Sequence, residues 1–110
     1  MPDEFRFMQL IREVRREIRH LLATSRPRLL DDDEISEALG SIGRNVKEAY
    51  GRRKGPERNQ FFRYARGSAE EVDQGLRDNF EINRIETRQF WRLHHRLVLI
   101  CKMLTRLMGE

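Results

Sequence analysis

Several arginines near the start of the chain recur at a spacing that aligns side chains on one face of a helix. They are Arg12, Arg15, Arg16 and Arg19. A guanidinium group donates two parallel hydrogen bonds to phosphate oxygens, so an aligned set can straddle the phosphates of a nucleic acid. The alternative interpretation is a solvated helix face that binds no ligand.

A second basic cluster lies in the middle of the chain, where glycines interrupt the helical pattern. Its members are Arg44, Lys47, Arg52, Arg53, Lys54 and Arg58. The segment lacks the Gly-x-x-x-x-Gly-Lys-Ser/Thr pattern and the preceding strand of a phosphate-binding loop. The two clusters together are therefore the predicted nucleic-acid-binding residues, and they would act through simple electrostatic contacts.

The overall charge leaves two functions open. The chain has 110 residues, with 22 basic and 18 acidic side chains and a net charge of +4. A positive balance favours acidic partners such as RNA or DNA, but a mixed-charge surface also keeps a small helical bundle in solution. We consider a nucleic-acid-binding accessory protein, and alternatively a protein-interaction scaffold whose charges serve solubility and docking.

The residues that could support catalysis or metal binding are isolated. Cys101 is the single cysteine and lies on an apolar stripe, where its thiol would stay protonated and inert. Only the segment 17–20 has the Glu-x-x-His form of carboxylate-bridged metal bundles, which require a pair of such motifs. His94 and His95 are adjacent and point about 100° apart on a helix. We therefore expect no enzymatic activity, no metal and no cofactor.

Amphipathic helices must position these residues. The chain is 36% charged and 38% hydrophobic and has three prolines. Apolar residues recur at intervals of three and four, which predicts helices over about 4–23, 33–51, 56–79 and 85–108. The fold class is all-α, an antiparallel up-and-down four-helix bundle in a single domain spanning 1–110. No apolar run reaches the roughly 20 residues that span a bilayer, and no signal peptide is evident, so we expect a cytoplasmic protein without membrane contact.

The second helix carries the least regular sequence. The acidic run 31–34 predicts its start, because carboxylates there accept hydrogen bonds from the first backbone amides. Gly40, Ser41 and Gly43 weaken helix formation, and we explain them by the close approach of a neighbouring helix. Asn45 is a candidate for a hydrogen bond to that helix.

The segment from Ser41 to Arg52 resembles the hallmark of a known family. That family is the bacterial four-helix-bundle family of ribosomal-RNA intervening-sequence proteins, whose hallmark reads approximately Ser-Ile-Pro-x-Asn-Ile-Ala-Glu-Gly-Tyr/Phe-Gly-Arg. The chain keeps the serine, asparagine, glutamate, aromatic residue, glycine and arginine, whereas Gly43 replaces the proline and Ala49 replaces the glycine. The segment 67–71 is similar to the Gly-Ser-x-x-Glu motif of the same family.

This resemblance implies a subunit that assembles into a ring, typically a homopentamer. The apolar stripe of the fourth helix suits such an assembly because it is widened by His94, Val98, Cys101 and Met108. Relatives include the accessory proteins of diversity-generating retroelements, which are basic rings that bind a reverse transcriptase and nucleic acid. The resemblance thus implies self-association, RNA or DNA as a partner, and a reverse transcriptase as a possible protein partner.

Overall fold

The chain folds into helices connected by short turns. The computed structural model describes the backbone from Pro2 to Glu110 and the side chains from Glu4 onward. In this part of the chain there are four helices and no strand: α1 (Pro2–Thr24), α2 (Asp32–Tyr50), α3 (Pro56–Glu81) and α4 (Thr87–Leu107). The prediction of an all-α fold is confirmed. None of the described helices is long and apolar enough to cross a membrane.

The helices form an elongated bundle of 44 × 23 × 21 Å, in which α1 and α3 each pack between α2 and α4. Contacts between helix ends show that neighbours run antiparallel. Asn59 at the start of α3 donates a hydrogen bond to the carbonyl of Met108, which follows the end of α4. Arg92 near the start of α4 pairs with Glu17 in the second half of α1, at 3.0 Å.

One continuous apolar core lies between the four helices. The predicted stripes supply it, and its largest fully buried side chains are Phe7, Ile11, Ile18, Leu39, Ile42, Phe62, Leu76, Phe90, Leu93, Leu97, Ile100 and Leu104. Each such side chain contributes about 1.5–3 kcal/mol relative to full exposure. The core thus fixes the faces that α1 and α2 turn outward.

α2 and α3 approach each other closely at a glycine of α3. A β-carbon at Gly75 would lie 2.6 Å from Cγ1 of Ile35. About two turns earlier in α3, the hydroxyl of Ser68 donates a hydrogen bond to Oγ of Ser41 across the same interface, at 2.8 Å. The predicted interhelical bond of Asn45 is wrong, because its amide donates to the carbonyl oxygen of Ser41 one turn earlier in α2.

The start of α2 differs from the predicted cap. Asp31 precedes the helix with φ of 55°, and its side chain makes no capping hydrogen bond. Instead, the carboxylates of Asp32 and Asp33 accept hydrogen bonds from Arg28. The acidic run still lies at the positive end of the helix dipole, but two of its carboxylates bind the preceding loop rather than the first backbone amides of α2.

Asn79 of α3 lies at the end of the bundle where α2 begins, and it binds the backbone of the preceding loop. Its side chain is fully buried, accepts a hydrogen bond from the backbone amide of Leu30 at 2.8 Å and donates one to the carbonyl of Leu30 at 3.1 Å. α3 continues past it to Glu81. α4 begins at Thr87 rather than near 85, since Ile85 is buried in the connection before the helix.

Candidate nucleic-acid interface

Arg15 of α1 lies across the surface of α2 at Gly43. A β-carbon at position 43 would lie 2.5 Å from Nη1 of Arg15 and 3.0 Å from its Cζ. Gly43 therefore makes room for a guanidinium group. A β-carbon at Gly40, one turn earlier, would lie 3.0 Å from Nη1 of Arg44. The explanation by a neighbouring helix fits Gly43, which faces a side chain of α1, and is wrong for Gly40, which faces Arg44 of its own helix.

Arg15 is held in an electrostatically unfavourable position. Burial lowers the pKa of its guanidinium, and the neighbouring charges of Arg19 and Arg44 lower that pKa further. Its Nε atom is buried and has no hydrogen-bond partner among the described residues. Arginine nevertheless remains protonated at neutral pH. This site therefore concentrates positive charge around a guanidinium whose Nε donor is unpartnered and shielded from solvent.

We name the surroundings of Arg15 the α1–α2 basic face. Arg19 and Arg44 lie close to Arg15, and the name also covers the other predicted basic residues of the two helices, which are exposed: Arg12, Arg16 and Lys47. Arg44 pairs with Glu37 at 2.8 Å, although both side chains are largely exposed, so the pair contributes little. Within the described part of the chain, the other members form no ion pair with an acidic side chain. Arg16 also borders a shallow depression with Glu13 and Glu17.

The remaining predicted residues lie at the turn between α2 and α3, and the structure divides them. Arg52 donates to Glu48 at 2.7 Å and also to Glu57, and its guanidinium stacks 4.3 Å from the ring centre of Phe61. Its charge is therefore compensated. Arg53 and Lys54 are exposed and form no ion pair with the acidic side chains that the structure describes.

Arg58 is engaged in packing. Its guanidinium lies 5.1 Å from the ring centre of Phe62 and 5.4 Å from that of Tyr50. It is half-buried at the end of the bundle. The turn begins eight residues after Gly43, which corresponds to roughly 12 Å along a helix axis. The turn is therefore distant from Arg15, although Lys47 lies between the two.

The structure also places the residues considered for other chemistry. Burial raises the pKa of the Cys101 thiol to about 11, with smaller contributions from Glu70 and Asp73. This confirms the interpretation of a protonated cysteine. Nδ1 of His94 lies 2.8 Å from Oδ1 of Asp73. Among the described residues, no group of three or more histidine, cysteine and acidic side chains could hold a metal ion.

The role of Gly43 was not visible in the sequence. Helical spacing places Arg15 beside the apolar stripe of α1 and Gly43 beside that of α2. It does not reveal which residue of one helix meets which residue of the other. The register of α1 against α2, which is set by core packing, brings the two together.

Comparison with known proteins gives one family. The family model described as 23S rRNA-intervening sequence protein matches residues 4–106. The match includes the α1–α2 basic face and the turn between α2 and α3. No curated protein is significantly similar to the chain.

Proposed function

The chain belongs to the family of 23S rRNA-intervening sequence proteins, and on this premise we propose that it is a non-enzymatic accessory protein that binds RNA or DNA. The α1–α2 basic face would contact the phosphates. The observation that carries the proposal is the position of the Arg15 guanidinium against Gly43, which we call the seat of Arg15. Arg19 and Arg44 lie close enough to this guanidinium to lower its pKa.

Clustered positive charges repel one another, and a bound anion reduces this repulsion. Leaving a buried donor such as Nε of Arg15 unpartnered costs about 1–3 kcal/mol. Phosphate oxygens would offset the repulsion between the neighbouring arginines, and a shift of the Arg15 side chain toward solvent would let them accept its Nε hydrogen bond. The exposed Arg12, Arg16 and Arg19 extend the same charge along α1. Contacts of this kind are independent of base sequence and weaken as salt is added.

The test compares two charge-matched double variants. Arg12→Gln/Arg19→Gln removes two exposed charges from the α1–α2 basic face, whereas Arg88→Gln/Lys102→Gln removes two exposed charges from α4. Binding to a fluorescent RNA hairpin and to duplex DNA is measured by anisotropy at low salt. Each lost phosphate contact should weaken binding on the order of tenfold at ~0.1 M salt, and the α4 variant should bind like the original protein.

Two results would count against this function. If micromolar protein binds neither RNA nor DNA at low salt, the chain does not act through phosphate contacts. If both double variants lose affinity equally, net charge rather than the α1–α2 basic face governs binding. Circular dichroism of both variants controls for loss of helix.

We also propose that the protein assembles with copies of itself, with a pentameric ring as the expected form. On α4, Trp91 is 41% exposed and Leu99 is 47% exposed. Burial of these side chains against a neighbouring subunit would stabilise a ring. Leu99→Asp should lower the mass measured by light scattering, whereas Ile82→Asp, at a similarly exposed position after α3, should not. A monomeric mass for the original protein at all concentrations would contradict the ring.

The same exposed apolar residues favour the second candidate function, a protein-interaction scaffold. In that case the partner is another protein, for example a reverse transcriptase, and nucleic acid plays no direct part. An oligomer that binds neither RNA nor DNA at low salt would support the scaffold. A reverse-transcriptase gene beside this one would identify the partner to test first.

A further inference from the structure

A cavity of about 510 Å³ opens at the end of the bundle where α1 begins and α4 ends. It lies at the opposite end from Asn79, away from the seat of Arg15. Its walls come from all four helices: Phe7 from α1, Tyr50 from α2, Arg58 from α3 and Leu107 from α4. Sites for small organic molecules have volumes in this range and are lined mainly by apolar groups.

Two polar atoms of the lining residues are buried without a partner. They are the hydroxyl of Tyr50 and Nε of Arg58, neither of which makes a hydrogen bond within the described part of the chain. Buried polar groups are nearly always paired, and leaving one unpaired costs about 1–3 kcal/mol. Burial, followed by the charge of Glu4, raises the pKa of Tyr50, so its phenol stays protonated and can donate at neutral pH. Both atoms are shielded from solvent, so an acceptor in the cavity would reach them after the side chains of Tyr50 and Arg58 rotate toward it.

The charges around the cavity favour a negatively charged occupant. Arg6, Arg58 and Arg106 line it together with a single described acidic residue, Glu4. The remaining walls, including Phe7, Met103 and Leu107, are apolar. An inorganic anion would bind the donors and leave the apolar walls uncovered, whereas a neutral apolar molecule would cover the walls and leave the donors unpartnered. A molecule with an anionic group and an apolar group would contact both kinds of lining residue.

We propose that this cavity binds a small organic anion, with an oxyanion head on Tyr50 and Arg58 and an apolar body against Phe7, Met103 and Leu107. Arg6 and Arg106 attract the head to the entrance. This site is separate from the α1–α2 basic face and uses none of the residues varied in the nucleic-acid test. The two proposals can therefore succeed or fail independently.

The test is an NMR titration of the ¹⁵N-labelled full chain with four probes. Phenyl phosphate and 3-phenylpropionate each carry an anionic head and an aromatic body, inorganic phosphate is the head alone, and benzyl alcohol is the body alone. We expect both organic anions to shift the side-chain Nε–H resonance of Arg58, which gains an acceptor. Inorganic phosphate and benzyl alcohol should each bind at least about tenfold more weakly than the organic anions. Each of them contacts either the polar or the apolar lining of the cavity, but not both.

Variants distinguish this site from general anion attraction. Tyr50→Phe and Arg106→Gln should weaken binding of the organic anions about tenfold, whereas Lys102→Gln, on the same helix but outside the cavity, should leave binding unchanged. Tyr50→Phe should also melt no lower than the original protein, because it removes an unpartnered hydroxyl. Tighter binding of phenyl phosphate assigns a phosphorylated ligand, and tighter binding of 3-phenylpropionate assigns a carboxylate. No shift with either anion at millimolar concentration, or equal loss with Lys102→Gln, would overturn the proposal.

Discussion

Replacing Gly43 by alanine should make the protein more stable and a weaker nucleic-acid binder. The new β-carbon would lie 2.5 Å from Nη1 of Arg15, so the guanidinium must leave its seat. It can leave, because it is the end of a flexible side chain beside solvent. Alanine stabilises a helix interior by up to about 1 kcal/mol relative to glycine. Release of Arg15 also returns its unpartnered Nε to water and relieves repulsion from Arg19 and Arg44.

The expected gain in unfolding free energy is about 1 kcal/mol, because the lost contacts of the Arg15 stem offset part of the relief. For a domain of this size the melting temperature should rise by about 4 °C. Urea unfolding followed by circular dichroism measures the change. Gly67→Ala is the matched control, because its β-carbon would meet nothing within 4 Å and would report helix propensity alone.

The two variants should differ in binding. Gly43→Ala should weaken RNA or DNA binding severalfold because Arg15 is no longer fixed beside Arg19 and Arg44, whereas Gly67→Ala should bind normally. If Gly43→Ala lowers the unfolding free energy by more than about 1 kcal/mol, the Arg15 guanidinium cannot move away from position 43. That result would refute the expected gain in stability. If it binds nucleic acid as tightly as the original protein, the seat of Arg15 has no part in binding.

Four further tests address the packing, two on Cys101 and one each on variants of Gly75 and Asn79. Cys101 should react with iodoacetamide at pH 8 on the order of 100-fold more slowly in the folded protein than in urea, because burial raises its pKa from 9.0 to about 11. Because this pKa is higher in the folded state, the protonated thiol contributes its whole share of the unfolding free energy below pH 9. That contribution is lost as the pH rises to about 11, and urea unfolding midpoints measured at each pH would show the loss. Gly75→Ala should destabilise the protein, because overpacking against Ile35 costs about 1–3 kcal/mol and exceeds the gain in helix propensity; an unchanged urea midpoint would contradict the close contact. Asn79→Ala should cost about 2–4 kcal/mol in urea unfolding, because it leaves the backbone amide and carbonyl of Leu30 unpartnered; a loss below about 0.5 kcal/mol would mean that water replaces the side chain.

The helices and the core could be predicted because their signal is periodic and local. Ile35, Leu39, Ile42 and Val46 recur at helical intervals, and all four are buried. Helix ends were harder, because Ile85 continues the apolar pattern of α4 although it packs as part of the preceding connection. Local periodicity reports which side chains face the core and carries less information about where the backbone turns.

Contacts between helices could not be read from one sequence. Asn45 was assigned to a neighbouring helix, yet a closer acceptor was available one turn back in α2. Asn79 ends the predicted third helix, and nothing in the sequence indicates that it bonds to the backbone of Leu30, 49 residues earlier in the chain. Such contacts depend on register, which the whole core determines.

The sequence predicted which basic residues belong to the candidate site, but it did not predict which of them lie against each other. Spacing alone aligned Arg12, Arg15 and Arg19 on α1, but Arg15 owes its special environment to α2. Arg6 and Arg106 were not among the predicted binding residues. The antiparallel arrangement offered a signal for them, because the start of the first helix must lie near the end of the last one.

The salt dependence of nucleic-acid binding tests the central claim most directly. Each phosphate contact with duplex DNA contributes about −0.9 to the slope of log Kobs against log salt. Arg12→Gln/Arg19→Gln should therefore make the slope less steep by about 1.8, so that between 50 and 200 mM salt the original protein loses about 12-fold more affinity than this variant. The slope of Arg88→Gln/Lys102→Gln should match that of the original protein. Equal slopes for all three proteins would contradict the assignment of phosphate binding to the α1–α2 basic face.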